Sequence, residues 1–211
     1  MSRPVNLSGL GKLIFFASLC CVGLTATPCF AEEPEKSAAA WTVNELMHGL
    51  AQVKESKAKF VERKYLSILK TPLEYSGTLA YNAPNHLEKQ TLLPKPESMV
   101  LDQDILIVQS GAGNRKRTLS LQDYPVIWAF VESFRATLAG DIATLSRFYS
   151  VTLEGHPKQW LLILRPLDPK MKSLISEIRI SGSLDQISTI ETREMGGDYS
   201  VMSIQSSQGN S

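Results

Sequence analysis

Few side chains in this sequence have the types and spacing that catalysis or metal binding requires. The three histidines, His48, His86 and His156, are far apart, and no H-x-x-x-H, H-E-x-x-H or calcium-loop pattern includes them. A nucleophile elbow of the form G-x-S-x-G is also absent. Asp102 and Asp104 flank a tight turn, where acidic residues are common, so we do not expect a catalytic carboxylate pair. The sequence therefore favours a protein that is not an enzyme and has no metal or other cofactor.

The glycine-rich segment Gly111-Ala112-Gly113 and the basic triplet Arg115-Lys116-Arg117 are the other candidates for chemistry. A phosphate-binding loop would end in lysine followed by serine or threonine and would lead into a helix, and this segment does neither. We interpret it as a hairpin turn before a solvent-exposed basic strand. The triplet leaves open a contact with an anionic partner or a lipid headgroup.

The first 31 residues have the three parts of a secretory signal peptide. Arg3 and Lys12 supply positive charge, residues 13–24 form an apolar segment, and a small-x-small pattern ends at Ala31. The apolar segment has 12 residues, and a membrane-spanning helix needs about 20. We therefore expect cleavage after Ala31 and a soluble, exported product.

The rest of the chain is expected to hold one domain, residues 41–206, between a flexible leader (32–40) and a flexible tail (207–211). All three cysteines lie in the signal peptide, so the domain has no disulfide and must be stabilised by its core. Without Arg3 and Lys12 the chain carries 20 basic and 21 acidic residues. This balance does not favour nucleic-acid binding.

One strongly apolar helix is predicted near the centre of the chain, at 124–138. Its apolar residues recur with a period of 3.6 and would form the buried stripe: Val126, Ile127, Phe130, Val131, Phe134 and Leu138. Glu132 and Ser133 lie off this stripe. Asp123 is the expected N-cap and Gly140 the expected left-handed C-cap. The pattern alone does not distinguish a helix in a core from a lid over a cavity.

Strands and short helices are predicted on both sides of the central helix. Thr42 and Glu45 form a capping box for a helix that begins at Val43, and Asp141 and Asp168 are expected to cap two short helices. Strands are predicted at 59–70, 73–81, 86–93, 98–101, 105–108, 115–121, 150–154, 159–165, 177–183, 186–193 and 199–204. Their short connections favour antiparallel pairing. The sequence thus predicts a mainly antiparallel α+β fold in which a strongly curved sheet encloses helices.

Three segments carry a resemblance to a known family: Phe60-x-Glu62, then Pro72-Leu73-x-x-x-Gly77-x-Leu79-x-Tyr81-x-x-Pro84-Asn85, then Val100-Leu101-Asp102-Gln103. Their order is similar to that in the LolA family of periplasmic carriers for outer-membrane lipoproteins, and particularly in its LolA-like relatives. The resemblance covers most of residues 41–206. It implies an incomplete, strongly curved β-barrel closed by helices that form a lid over an apolar cavity for acyl chains.

Two features depart from that family. Its carriers have an arginine immediately before the proline that matches Pro84, where it hydrogen-bonds the lid, and here that position is Ala83. They also carry a C-terminal extension with a final strand, whereas this chain stops at Ser211. Both departures point to a relative with another lipid cargo or another partner.

The expected function is that of a monomeric periplasmic carrier. It would shield the acyl moiety of a lipoprotein or glycolipid-type cargo and move it from the inner toward the outer membrane, with a transient inner-membrane donor and outer-membrane acceptor. The residues expected to line its slot are Leu79, Tyr81, Leu92, Ile105 and Ile107 on the sheet and Ile127, Phe130, Val131 and Phe134 on the helix. The alternative is a lipid-responsive regulator or adaptor that contacts an inner-membrane protein.

Overall fold

The structure is a computed structural model of the chain, and it describes residues 41–111 and 115–207. The predicted signal peptide and leader, residues 112–114 of the predicted glycine-rich turn and residues 208–211 of the predicted tail lie outside the described residues. Among the helices in the described ranges, none is long and apolar enough to cross a membrane.

The described residues form one antiparallel sheet of 11 strands. The strands are β1 (Glu55–Tyr65), β2 (Leu73–Asn82), β3 (His86–Leu93), β4 (Glu97–Asp102), β5 (Ile105–Ser110), β6 (Arg115–Ser120), β7 (Tyr149–His156), β8 (Gln159–Pro166), β9 (Ile175–Ser183), β10 (Gln186–Glu194) and β11 (Tyr199–Ser206). Their order is β6-β5-β4-β3-β2-β1-β11-β10-β9-β8-β7, so pairing of β1 with β11 joins two meanders. The sheet is open because β6 and β7 are its two edges. The mainly antiparallel α+β fold that the sequence predicts is confirmed.

Four helices accompany the sheet: α1 (Val43–Leu50), α2 (Pro125–Ala139), α3 (Ile142–Phe148) and α4 (Pro169–Lys172). The predicted capping box is present, with the Thr42 side chain accepting from the backbone of Glu45 and the Glu45 carboxylate accepting from the backbone of Thr42. The carboxylates of Asp141 and Asp168 each accept a backbone N–H three residues on, at 2.9 Å. These three helix starts are therefore specified locally, as predicted.

Helix α2 begins differently from the prediction and ends as predicted. Asp123 lies in a 3-10 turn (Leu121–Asp123), and the N-cap position is Tyr124, whose side chain makes no capping bond. Pro125 opens the helix, where its missing N–H would have no partner in any case. Gly140 ends it at φ 68°, a left-handed conformation that favours glycine. A Cβ at Gly140 would also lie 2.2 Å from the carbonyl oxygen of Met47, so α1 approaches closely there.

The strand register defines an inner face of the sheet. Residues directly opposite each other in neighbouring strands point to the same face. Tyr81 is in register with Leu87, which is in register with Leu101. In the other direction, the line of directly opposed residues runs from Glu62 of β1 across β11, β10 and β9 to Leu162 of β8. Because Leu101 and Leu162 both belong to hydrophobic clusters that α2 joins, this is the face that the helices cover.

The sheet curves strongly around α2, because this one helix contacts hydrophobic clusters near both edges of the sheet. One cluster contains Leu162 of β8 together with residues of α1 and α3. The other contains Leu106 of β5, with Ile127, Trp128 and Val131 of α2 packed against it. Eight strand spacings separate β5 from β8, which is about 38 Å in a flat sheet at about 4.8 Å per spacing. A helix is only about 10–12 Å thick, so the two ends must bend toward each other.

The buried face of α2 is not the stripe that the sequence predicts. Its fully buried residues are Ala129, Glu132, Ser133, Ala136 and Thr137, whereas the residues of the predicted stripe are half-buried. The two alanines pack with α1 and α3, since small side chains allow helices to approach closely. The hydroxyls are satisfied within the helix: Ser133 donates to the carbonyl of Phe130, and Thr137 donates to that of Ser133.

Candidate functional site

The inner face of β1–β6 changes from apolar to charged along the strands. The first row of opposed residues has Ser56 as its member on β1 and is apolar from β2 to β6: Tyr81, Leu87, Leu101, Leu106 and Leu119. The second row is mixed: Ala58, Leu79, Lys89, Met99, Val108 and Arg117. The third is Phe60, Gly77, Thr91, Glu97, Ser110 and Arg115. Helix α2 packs on the first row through Ile127 and Val131, so the covered end is apolar and the other end is charged.

Cations outnumber carboxylates on the inner face of these six strands. The charged residues there are Lys64, Lys89, Arg115, Arg117, Glu62 and Glu97. Arg115, Arg117 and Glu97 are exposed, and all three lie on the strands toward the β6 edge. Four cations against two carboxylates give this end of the face a positive potential.

Glu62 is the buried centre of this charged end, with an exposed fraction of only 6%. Lys89 Nζ lies 2.6 Å from one of its carboxylate oxygens and Lys64 Nζ lies 3.7 Å from the other. Lys89 Nζ is also 4.9 Å from the centroid of the Phe60 ring. Gly77 is required mainly by the neighbouring strand, because a Cβ there would lie 1.8 Å from the carbonyl oxygen of Gln90, and it would also lie 3.0 Å from the Phe60 ring. Two ammonium groups thus share one carboxylate, which can neutralise only one of their charges.

The four predicted site residues on α2 are all half-buried. Ile127 and Val131 pack against the cluster around Leu101, and Phe130 and Phe134 pack against the larger cluster under α1 and α3. The two phenylalanine rings meet edge to face with their centroids 5.0 Å apart. Helix α2 therefore spans both clusters with an apolar surface that is only partly covered.

Leu79 and Tyr81, the first two predicted site residues of the sheet, lie on the inner face with α2. Leu79 is half-buried and Tyr81 is 3% exposed. The Tyr81 hydroxyl is buried without a hydrogen-bond partner among the residues that the structure describes. Burial raises the pKa of this phenol, because the charged form would lose its hydration.

The structure does not bring Leu92, Ile105 and Ile107 together with these residues. Ile105 and Ile107 alternate with the inner-facing Leu106 and therefore point to the outer face. Leu92 follows the inner-facing Thr91 at a bulge in β3 and is 57% exposed. These three residues therefore do not lie on the inner face with the other six. Residues 105–108 are all apolar, so hydrophobicity alone cannot tell which alternate pair faces inward.

Sequence reasoning missed Glu62 and Lys89 as site residues. Glu62 was available from the pattern Phe60-x-Glu62, because residues two apart in a strand share a face. Lys89 likewise alternates with Leu87 and Thr91 in β3. The signal was that Glu62 and Lys89, which carry opposite charges, occupy strand positions that point to the same face as the inward apolar residues.

The outer face has charged surface features but no comparable apolar site. Partly exposed ion pairs of 2.6–3.9 Å connect Arg165, Glu177, Arg179, Glu191 and Arg193, and pairs that reach solvent stabilise a fold little. Two open grooves, each about 470 Å³, lie beside these residues, and no residue of α2 lines either of them. Within the described ranges, no group of three or more His, Cys, Asp or Glu side chains is arranged to hold a metal ion.

A family model described as "Outer membrane lipoprotein carrier protein LolA-like" matches residues 35–206. The chain belongs to this LolA-like family. A search among curated proteins found no match.

Solved structures similar to this LolA-like chain include proteins from three organisms. A LolA superfamily protein from Nitrosomonas europaea is 10% identical, with 79% of this chain and 92% of that chain covered and a TM-score of 0.43. The Pseudomonas aeruginosa MucA/MucB complex matches at 11% identity, covering 80% and 58%, with a TM-score of 0.46. The Clostridioides difficile CwlD amidase in complex with the GerS lipoprotein matches at 12%, covering 78% and 91%, with a TM-score of 0.37. These similarities concern the fold alone.

In this LolA-like chain, Arg135 of α2 contacts the β4–β5 hairpin. Its Nη1 lies 3.5 Å from the carbonyl oxygen of Gln103 and 3.8 Å from Asp104 Oδ1. The buried Glu132 holds Arg135 in place and also accepts a 2.9 Å hydrogen bond from Trp128 Nε1. The methyl group of Ala83, at the position where the resemblance implies an arginine in carriers, cannot make such a bond. The polar contact between α2 and the β4–β5 hairpin is therefore donated by a side chain of the helix.

Proposed function

We propose that this LolA-like chain is a periplasmic carrier that holds the acyl moiety of a lipoprotein or glycolipid-type cargo between the inner face and α2. Membership of a family of outer membrane lipoprotein carriers supports this class of function. In the proposal, the protein receives its cargo from an inner-membrane donor and delivers it to an outer-membrane acceptor. It acts by binding and does no covalent chemistry.

The observation that carries this proposal is the partly covered apolar stripe of α2. A helix that only completed a core would bury its largest apolar residues, because burying each one stabilises the fold by about 1.5–3 kcal/mol. Helix α2 instead buries alanine, serine, threonine and a glutamate, and leaves Phe130 and Phe134 half-buried. We infer that the residues lining the acyl slot are Leu79, Tyr81, Ile127, Phe130, Val131 and Phe134.

An acyl chain needs such a slot because each methylene removed from water contributes about 0.8 kcal/mol. A chain of about 14 methylenes therefore gains about 11 kcal/mol from complete burial. Because α2 lies against both ends of the sheet, entry of a chain requires α2 to move outward. The polar contacts of Arg135 with Gln103 and Asp104 would break in that step. A gain of this size exceeds the loss of these partly exposed contacts.

A binding experiment with matched variants tests the proposal. The delipidated chain, without its predicted signal peptide, is titrated with a fluorescent fatty-acid probe. We expect Phe130→Gln to lower the affinity about tenfold, because a polar amide replaces apolar contact surface. Ile107→Gln is the control, since Ile107 is also half-buried but lies on the outer face. Absence of probe binding by the folded protein, or equal effects of the two substitutions, contradicts the proposal.

Native mass spectrometry of the purified protein provides an independent test. A carrier with a hydrophobic slot should retain a lipid from its host, which adds a defined mass to the folded protein. Removing that lipid should restore probe binding. A protein that never carries a lipid, under conditions that preserve other lipid complexes, would argue for a different function.

The basic edge strand β6 favours a second candidate, a lipid-responsive regulator or adaptor that contacts an inner-membrane protein. Arg115, Lys116 and Arg117 are all exposed, and the outer side of β6 has no neighbouring strand. An edge strand with free backbone groups can add a strand from a partner. Recovery of one stable inner-membrane partner by the lipid-free protein, and loss of that partner after Lys116→Glu, would support this candidate over the carrier.

A further inference from the structure

The charged end of the inner face carries a feature that the acyl slot does not explain. Lys89 and Lys64 share the single carboxylate of Glu62, and the nearest rows of the face hold Phe60, Leu79 and Met99. One carboxylate can neutralise only one of the two ammonium groups, so a net positive charge remains beside apolar surface. An anion at this position would restore neutrality in a place where Coulomb interactions are less screened than in bulk water.

The exposure of the two lysines places this charge at the mouth of the site. The side chain of Lys89 is 27% exposed and that of Lys64 is 45% exposed. Lys64 lies near the end of β1, two residues beyond Glu62 on the same face, and its Nζ is 5.3 Å from the centroid of the Tyr75 ring. Both ammonium groups can therefore reach a ligand that enters from solvent. A pair formed only to stabilise the fold would not need the second lysine.

The distance between the charged and apolar ends matches the length of a lipid chain. Ser56 lies opposite Tyr81 in the apolar row, and Glu62 is six residues further along β1. Six residues of a strand span about 20 Å. The hydrocarbon core of one membrane leaflet is about 15 Å thick, so the acyl chain of a membrane lipid fits along β1 and β2 from Glu62 to Tyr81.

We propose that Lys89 and Lys64 bind the anionic oxygen of a phosphate or carboxylate at the head of the lipid cargo, while its acyl chain lies along β1 and β2 toward Tyr81. The inference rests on the proposed function and adds the chemistry of the head group to it. Charge-assisted hydrogen bonds from two ammonium groups would hold the anion. Glu62 keeps Lys89 in position and is itself neutralised by it.

A series of single-chain ligands distinguishes the contribution of the head group to binding from that of the alkyl chain. Binding of dodecyl phosphate, dodecanoate, dodecanol and inorganic phosphate is measured by displacement of the fluorescent probe or by calorimetry. We expect both anionic ligands to bind at least about tenfold more tightly than dodecanol, because hydrogen bonds to charged groups are the strong ones. This preference should decrease with added salt. Inorganic phosphate should not bind in the same concentration range, because it lacks the apolar chain.

The outcomes distinguish this inference from the carrier function itself. If dodecanol binds as tightly as dodecyl phosphate, the head-group site is refuted and the acyl slot stands. If none of the alkyl ligands binds, the acyl slot and with it this inference are refuted. If inorganic phosphate binds as well as dodecyl phosphate, the lysines form a site for free anions and the inference is also refuted.

Two variants on one strand test the role of Lys64 without disturbing the buried pair. Lys64→Gln should lower the affinity for dodecyl phosphate about five- to tenfold and weaken its salt dependence, while the affinity for dodecanol stays the same. Lys59→Gln is the control, because Lys59 is exposed on the same strand but alternates with Phe60 and faces outward. Equal losses in the two variants would mean that only the overall charge matters, and this would refute the site. An unchanged affinity in Lys64→Gln would refute it as well.

Discussion

The two halves of the inner face are built on different principles. On β8 and β9, fully buried Leu162 and Ile180 pack under α1 and α3, and the buried hydroxyl of Tyr149 donates to a backbone carbonyl of α2. On β1–β3, the same face holds the Glu62–Lys89 pair and a tyrosine hydroxyl without a partner. The sheet is continuous across both halves, so the difference lies in the side chains and in the helices that cover them.

The difference suggests that the half on β8 and β9 stabilises the fold, whereas the half on β1–β3 is the one that we propose for binding. In the first half, the apolar side chains of the strands are sealed and the Tyr149 hydroxyl is paired, although Trp41 Nε1 beside α1 is buried without a partner among the described residues. In the second half, polar groups occupy positions that a plain core would give to aliphatic residues. Four predictions test this division, beginning with the one that should destabilise the fold most.

Leu162→Ala should have the largest effect. Leu162 is fully buried in the larger cluster, and we expect a loss of about 3–4 kcal/mol in the free energy of unfolding because a cavity is left behind. Leu79→Ala is the matched change in the other half, where the half-buried side chain should lose only about 1–2 kcal/mol. Urea unfolding of both variants measures the difference. Equal losses would mean that the two halves are equally packed.

Lys89→Leu should have the next largest effect. It leaves the buried carboxylate of Glu62 with only the longer contact to Lys64, and we expect a loss of about 2 kcal/mol because Lys89 is itself partly exposed. The double variant Glu62→Leu/Lys89→Leu should recover most of that loss, because two apolar side chains replace a desolvated pair. Unfolding free energies of the four proteins in a double-mutant cycle give the coupling. Additive effects would show that the pair is not energetically coupled.

Tyr149→Phe should destabilise the fold by about 1 kcal/mol, since it removes a buried hydrogen bond to Ala129. The effect depends on pH. Burial raises the pKa of Tyr149 above its ordinary value of 10.0, so the contribution of this tyrosine is fully present below pH 10 and is lost as the pH rises above it. Urea unfolding of the wild type and the variant at about pH 8 and about pH 10.5 should show the gap closing. A gap that widens at high pH would contradict the assignment.

Tyr81→Phe should have the smallest effect on stability, and it should not destabilise the fold. Its hydroxyl has no partner, so removing it should leave the stability unchanged or raise it by up to about 1 kcal/mol. The thermal unfolding midpoint, measured beside that of Tyr149→Phe, checks this contrast. A loss as large as that in Tyr149→Phe would show that the hydroxyl is bonded in solution.

The sequence predicts the elements of this fold well because their signals are local. The capping box of Thr42 and Glu45, the caps Asp141 and Asp168, and the left-handed end at Gly140 all depend on residues within one turn. Turn residues and alternation likewise delimit the hairpins. The prediction of Asp123 as a cap was wrong because a 3-10 turn precedes Pro125 and includes this residue.

The candidate site is harder to predict because it depends on which face each element turns toward its neighbours. Helix α2 buries Ala129 and Ala136, since only small residues allow α1 and α3 to come close, and a search for large apolar residues selects the wrong face. In β5, inward Leu106 and outward Ile107 are equally apolar. In both cases tertiary contacts determine which residues face inward, and the periodicity of the sequence does not predict those contacts.

One helix touching both ends of an open sheet has a mechanical consequence. The strands of β1–β11 are free to bend more or less tightly, since β6 and β7 do not close the circle, and α2 acts as the spacer between the ends. A bulkier residue at Ala129 or Ala136 would push α2 away from α1 and α3 and widen the trough without any change in a strand. In this architecture the spacing between the sheet and its helices is set by the side chains on one face of a single helix.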